Sequence, residues 1–260
     1  MNRFALLALP ALLVAALLFA GPGDDGPADA AHDPGVPLAV NVLDFGAVGD
    51  GKHDDTAALQ AAFDTACTDR GGRNGVRGPR KVILPPGTYR VTDTLSLTTK
   101  HKNLTIHGTG GSRPISRIGA NTEIVYDGPE GKHLFDTKGV VGMHMADLML
   151  HGGKKAGALI RVNSIRGHGS GEMMFERVHL RHADMGFVFG DEIDLNAADC
   201  TFIDVSISYM TTCGFRSAQG QQLDFVFYRS EVGHTPIGFH FTRGGASTWL
   251  HPAFGWCDTA

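Results

Sequence analysis

The sequence has no surplus of charge of either sign. Its 23 Lys+Arg face 27 Asp+Glu over 260 residues, a formal net charge of -4. A nucleic-acid interface needs a basic stripe, so nucleic acid is not expected as a partner. Cysteine is also scarce. Cys67, Cys200, Cys213 and Cys257 contain no CxxC pair, which rules out the usual zinc spacings, and no metal site is expected. A Cys200–Cys213 bridge is conceivable, but so few cysteines in a chain this size fit buried small hydrophobes better.

One long apolar run is present, FALLALPALLVAALLFA from Phe4 to Ala20, behind Arg3 and ahead of the small-residue triplet Ala28-Asp29-Ala30. This pattern predicts a signal peptide over residues 1–30, a linker over 31–39 and one domain over 40–260. Pro10 within the run favours export over an uncleaved anchor. The expected location is secreted or periplasmic, with no membrane contact after cleavage. What the chain has in quantity is glycine, 35 residues spread throughout, which implies many turns between short elements.

The stretch DFGAVGDGKHDDTAALQAAFDTA, Asp44 to Ala66, invites three readings. A calcium loop fails because the template's ligand and glycine positions carry Lys52 and Asp55. A dinucleotide fingerprint fails because the glycines read G-x-x-G-x-G, ahead of any helix start. A capped helix fits. Asp54 or Asp55 can accept backbone N–H groups, and Leu59, Ala62, Phe63, Ala66 and Cys67 then share one face. The helix is expected to end at Gly71-Gly72, with VNVLDFGA before it as a strand and Asp50-Gly51 as a turn pair.

Beyond that loop the pattern alternates with period two in short runs such as KVILPPGTYRV and TEIVYDG. In the second half an apolar-Gly-apolar kernel recurs around Gly157, Gly186, Gly214 and Gly238, at separations of 29, 28 and 24 residues. A second strand family, DLMLH, RVHLR, DVSIS and YRSEV, alternates with it. Two strand types sharing one drifting period predict an all-β parallel β-helix, each coil stacked about 4.8 Å above the last. In this register Leu148, Val178, Val205 and Tyr228 face inward, as do Leu150, Leu180, Ile207 and Ser230. Phe187, Phe189, Phe215, Phe239 and Phe241 belong to the kernel and are read as stacked core aromatics.

The string NVLDFGAVGDGKHDDTAALQAAFDTA followed by VILPPGTYRV resembles the N-terminal signature of the pectate lyase superfamily, in its rhamnogalacturonase and epimerase-like branch with polygalacturonases and tailspikes. The resemblance is specific over Val40 to about Gly110 and architectural beyond. It implies a right-handed parallel β-helix with an N-terminal amphipathic capping helix, and a polysaccharide as substrate or ligand. Of the polygalacturonase-like motifs only Gly167-His168-Gly169 is found, in a glycine-rich connection where a turn residue is the plainer reading.

The outward positions offer other candidates. Met149, His179, Ser206 and Arg229 form one predicted row, and His151, Arg181, Ser208 and Glu231 form another. His179, Arg181, Arg229 and Glu231 are therefore the candidate catalytic residues, since uronate chemistry uses a base and a cation. Asp184, Asp191 and Glu192 are the next candidates. The expected function is an exported hydrolase or lyase of an acidic, pectin-like polysaccharide; the alternative is a non-catalytic glycan-binding or structural β-helix. No cofactor is assigned. The tail FTRGGASTWLHPAFGWCDTA begins another coil without a second amphipathic helix, so either further coils follow it or a second copy of the chain covers it.

Overall fold

The structure is a computed structural model that describes residues 37–68, 78–110, 121–192, 197–218, 222–242 and 245–259. The signal peptide expected over 1–30 and all but the end of the 31–39 linker lie outside them. The chain winds as a parallel β-helix with three strand faces per coil. The first face holds segments 81–83, 105–107, 144–146, 174–176, 201–203 and 226–228, each hydrogen-bonded in parallel to the next. The second holds 87–91, 122–126, 148–151, 178–181, 206–208, 231–233 and 253–255. The third holds 95–97, 133–138, 158–163, 185–189, 213–217 and 237–241.

Period-two alternation puts one row of apolar side chains per face into the core. On the second face Tyr89, Ile124, Leu150, Leu180 and Ile207 stack inward, and all are buried. On the third face the row is Leu95, Phe135, Ile160, Phe187, Phe215 and Phe239. Phe187, Phe189 and Phe215 are wholly buried, with Phe239 and Phe241 packed against them, so the kernel phenylalanines are core. Burying each such ring stabilises the fold by about 1.5–3 kcal/mol.

The register differs from the sequence expectation in the coil that contains Tyr228. That residue pairs with Ile203 on the first face, and Val232 takes the inward place above Ile207. The spacing shortens there, and YRSEV mimics the alternation two residues early. Ser230 fills the inward position above Val205 because its hydroxyl is satisfied locally, donating to the Phe202 carbonyl at 3.2 Å. Arg229 therefore leaves the predicted outward row. It sits in the turn between the first two faces at φ 49 and pairs with Asp204. Two coils below, the same turn recurs: Arg177 at φ 51 donates from Nε to Asp147 at 2.5 Å.

The helix spans Thr56–Ala66, shorter than the expected run to Gly71-Gly72, whose residues lie outside those described. Its Leu59 and Phe63 are wholly buried, and the Phe63 ring lies 6.2 Å from Phe135. Gln60 donates to the Ser96 carbonyl at 3.0 Å and accepts the Ser96 N–H at 2.9 Å, fastening the helix to Leu95–Leu97. Asp54 accepts the Thr56 N–H at 3.1 Å. Asp55 serves the preceding turn, accepting from Val48 and Gly49. The stretch before the helix departs from expectation. Only Val40–Asn41 is strand; Asn41 accepts the Leu43 N–H and starts a 3-10 turn, and Asp50–Asp54 is a strand and not a turn pair.

Candidate functional site

Two outward surfaces carry clustered chemistry. On the third face Arg161 is enclosed by carboxylates. Its Nε donates to Asp191 at 2.9 Å, its Nη1 lies 2.8 Å from Glu192, and Lys138 reaches Glu192 at 2.9 Å. Burial opposes ionisation of Asp191, but bonds from Arg161 and Asn163 outweigh it and hold the carboxyl below its ordinary range. The Lys138 bond does the same for Glu192. These carboxylates are locked anions, poorly suited to donate a proton. Asp184, the other loop candidate, accepts the Thr211 hydroxyl at 2.8 Å.

The second face is differently built. Its outward rows are Glu123, Met149, His179, Ser206 and Glu231, and beside them Val125, His151, Arg181, Ser208 and Gly233. Thus His179 and Glu231 share one row, Arg181 lies in the neighbouring row, and Arg229 belongs to neither. Glu231 stands two rungs above His179 in the first row, one place from where the repeat spacing puts it. His179 points outward yet is only 2% exposed, its Nδ1 lying 3.2 Å from the Ser206 hydroxyl.

Arg181 has no carboxylate within ion-pair distance among the described residues, and its Nε is buried without a hydrogen-bond partner. Its guanidinium lies 5.3 Å from the Tyr209 ring centroid, a cation–π contact. Around it the titratable groups are held neutral or pushed that way. Burial raises the Glu123 carboxyl, opposed by the charge of Arg181. Burial, with repulsion from His182, Arg181 and Lys154, pushes His151 down to about 4. The His151 Nδ1 accepts the Gly153 N–H at 3.0 Å, so its neutral ring carries the proton on Nε2. His182 is lowered by burial, Arg181 and Lys154, and its ring nitrogens have no hydrogen-bond partner among the described residues.

One edge of this face is a column of rings. His151, His182, Tyr209, His234 and Trp256 follow one another with centroids 4.8, 5.0, 4.7 and 4.6 Å apart. His182, Tyr209, His234 and Trp256 each sit at positive φ immediately after a second-face strand. Sequence reasoning overlooked this column: His182 and Tyr209 directly follow RVHLR and DVSIS, but His234 and Trp256 fall into line only in the register of the structure, where Gly233 and Gly255 stand above Ser208. Glu123 was overlooked because its strand lies before the region where the repeat is visible. His168 lies in a turn closed by reciprocal bonds with Ile165. Among the described residues no three His, Cys, Asp or Glu side chains converge as a metal site, and no disulfide joins the cysteines.

The family pattern described as rhamnogalacturonase A/epimerase, pectate lyase-like matches residues 39–155. That segment is pectate lyase-like. Over 55 residues the chain is 54% identical to mannuronan C5-epimerase AlgE5 of Azotobacter vinelandii, a match covering 21% of this chain and 5% of that protein. Over 94 residues it is 39% identical to the probable rhamnogalacturonase A of Aspergillus niger, covering 35% of this chain and 19% of the other. The chain thus spans only a small part of the length of these relatives. Among solved structures, the A-module of mannuronan C-5 epimerase AlgE4 from Azotobacter vinelandii superposes with a TM-score of 0.57 at 24% identity, over 80% of this chain and 58% of that one. This likeness shows the shared parallel β-helix.

Proposed function

We propose that this pectate lyase-like chain is an exported protein that binds an acidic polysaccharide along its second face and acts on it by proton abstraction next to a uronate carboxylate. The observation that carries the reading is Arg181, a partly buried cation on the outer surface with no carboxylate within ion-pair distance among the described residues. A uronate carboxylate supplies the missing partner, and an Arg–carboxylate pair stabilises the charge that builds up when the adjacent carbon loses its proton. His182, kept neutral beside Arg181, takes that proton. The electron pair moves onto the carboxylate held by Arg181. Its return expels the glycosidic oxygen at the β carbon, which leaves with a proton from the Tyr209 phenol, and an unsaturated uronate results. Return of a proton to the opposite face of the carbon gives an epimer instead. Relatives named for epimerase and rhamnogalacturonase activity support a polysaccharide of this class.

Hydrolysis is less well supported. It needs two carboxyl groups roughly 5–9.5 Å apart across the bond. Glu123 and Glu231 are four rungs apart in one row, about 19 Å at the strand spacing, and the third-face carboxylates are held by Arg161 and Lys138. A binding-only reading draws on the burial of His179, which leaves fewer groups within reach of a ligand. Incubation with a panel of uronate polysaccharides tests the proposal through reducing ends, ultraviolet absorbance of the unsaturated product, and exchange of the α proton in heavy water. Reducing ends and absorbance rising together, or exchange alone, support it. Reducing ends without absorbance mean hydrolysis and overturn it; binding with none of these signals leaves the glycan-binding alternative.

A further inference from the structure

The row that carries His151 and Arg181 continues through Ser208 to Gly233 and Gly255. Two glycines remove the side chains that the lower coils carry there, and a cavity of about 360 Å³ opens over them, with Glu231 on one side and Tyr209, His234 and Trp256 on the other. Ser208 lines this trough. It is 6% exposed, and its oxygen has no hydrogen-bond partner. A buried hydroxyl left unpaired costs free energy that a ligand hydroxyl would recover.

Within the wall of rings, face stacking on a ligand is left only to the outer side of Trp256, which is 81% exposed. Tyr209, His234 and Trp256 lie parallel, 4.7 and 4.6 Å apart, so each of their facing surfaces is occupied by a neighbour. What they turn to the trough is their edges, the electropositive rim of an aromatic quadrupole, which attracts hydroxyl oxygens. Among the described residues no Lys or Arg lines the trough, and Glu231 repels an anion there.

We propose that this trough is a subsite for an uncharged pyranose residue. Its hydroxyls donate to Glu231, exchange hydrogen bonds with Ser208 and lie against the ring edges. The floor at Gly233 is two rungs, about 10 Å, from Arg181, so the bound glycan would carry a neutral sugar within reach of a uronate. The uronate end of that statement rests on the proposed function; the neutral subsite is argued from the trough alone.

Titration of the full chain with neutral methyl pyranosides and with a methyl uronoside, followed by Trp256 fluorescence, tests the assignment, with Trp256→Phe as the control for signal origin. At least one neutral glycoside is expected to bind and the uronoside to bind at least about tenfold more weakly. A Cβ at Gly255 meets nothing within 4 Å, so Gly255→Leu fills the trough without backbone clash. It should weaken neutral binding about tenfold or more with the unfolding midpoint unchanged, and Ser208→Ala should weaken it several-fold. Arg181→Ala should leave neutral binding intact. If no neutral glycoside binds, if the uronoside binds as well, or if Gly255→Leu has no effect, the subsite is wrong. If neutral binding persists while Arg181→Ala leaves acidic-glycan binding untouched, the subsite stands and the proposed function fails.

Discussion

The Asp55 carboxylate is completely buried and accepts the backbone N–H groups of Val48 at 2.7 Å and Gly49 at 3.2 Å. It closes the turn that brings the first coil back beneath the helix. Asp55→Ala removes a charged acceptor and strands two buried donors, so it should destabilise by about 2–4 kcal/mol. Urea unfolding measures this; a change within about 0.5 kcal/mol, as at an ordinary surface site, would assign the turn to its glycines alone.

Phe63 tests whether the helix serves as a cap. With no exposed surface and a ring contact to Phe135, Phe63→Ala should cost about 3–5 kcal/mol through the cavity left behind. The expected thermal transition is cooperative and displaced downward. An unchanged midpoint would detach the helix from the stability of the coils.

The two outward arginines of the original candidate set should behave differently. Arg181→Ala should lower turnover or binding of acidic glycan about tenfold or more, the usual consequence of losing a charged hydrogen bond, without a large stability change. Arg229→Ala should leave activity near wild type, since its guanidinium is occupied by Asp204 in an exposed turn. The reverse pattern would move the anion site to the turn.

The histidines set an acid limit. His151 has a folded pKa of about 4 against an ordinary 6.5. Below pH 6.5 the unfolded chain takes up a proton that the folded chain refuses. The stability present above pH 6.5 is therefore lost as pH falls toward about 4. His101, His133 and His182 are lowered in the same direction, burial leading in each. His151→Gln should flatten part of this decline in unfolding midpoints taken across that window; an identical decline would show that the shift is not realised in solution.

The thiols offer a simple check on the covalent state. Burial pushes Cys200 up to about 12 and Cys213 up to about 11. Since the thiolate is the reactive form, both should react slowly with a disulfide reagent in the folded protein. All four should react in denaturant without reductant. Fewer than four reactive thiols there would indicate a disulfide.

The inward rows were legible in the sequence because strand burial has a strict period of two: Leu148 with Val178 and Leu150 with Leu180 needed only alternation. The register past Ile207 was not. Alternation cannot distinguish Ser230, buried through its own hydrogen bonds, from a solvent-facing serine, and the coil there is shorter than the one before, 25 residues against 27. Nor does a side-chain pattern report backbone conformation, so the turn that takes Arg229 out of its row at positive φ left no mark of the glycine kind. Arg181 was legible as an outward cation. That no described carboxylate pairs with it was not, because pairing depends on which residues stand one coil away.

Stacking coils face to face also fixes how this molecule responds to force. The hydrogen bonds between successive strands run along the long axis, so tension applied along it loads them in series and not in shear. The weakest interface opens first, and each coil that peels away releases 24 to 29 residues at the kernel spacing, roughly 80–100 Å of extended chain. Pulled by its ends, the protein should lengthen in a staircase of such steps, with the phenylalanine-filled coils around Phe187 and Phe215 the last to yield.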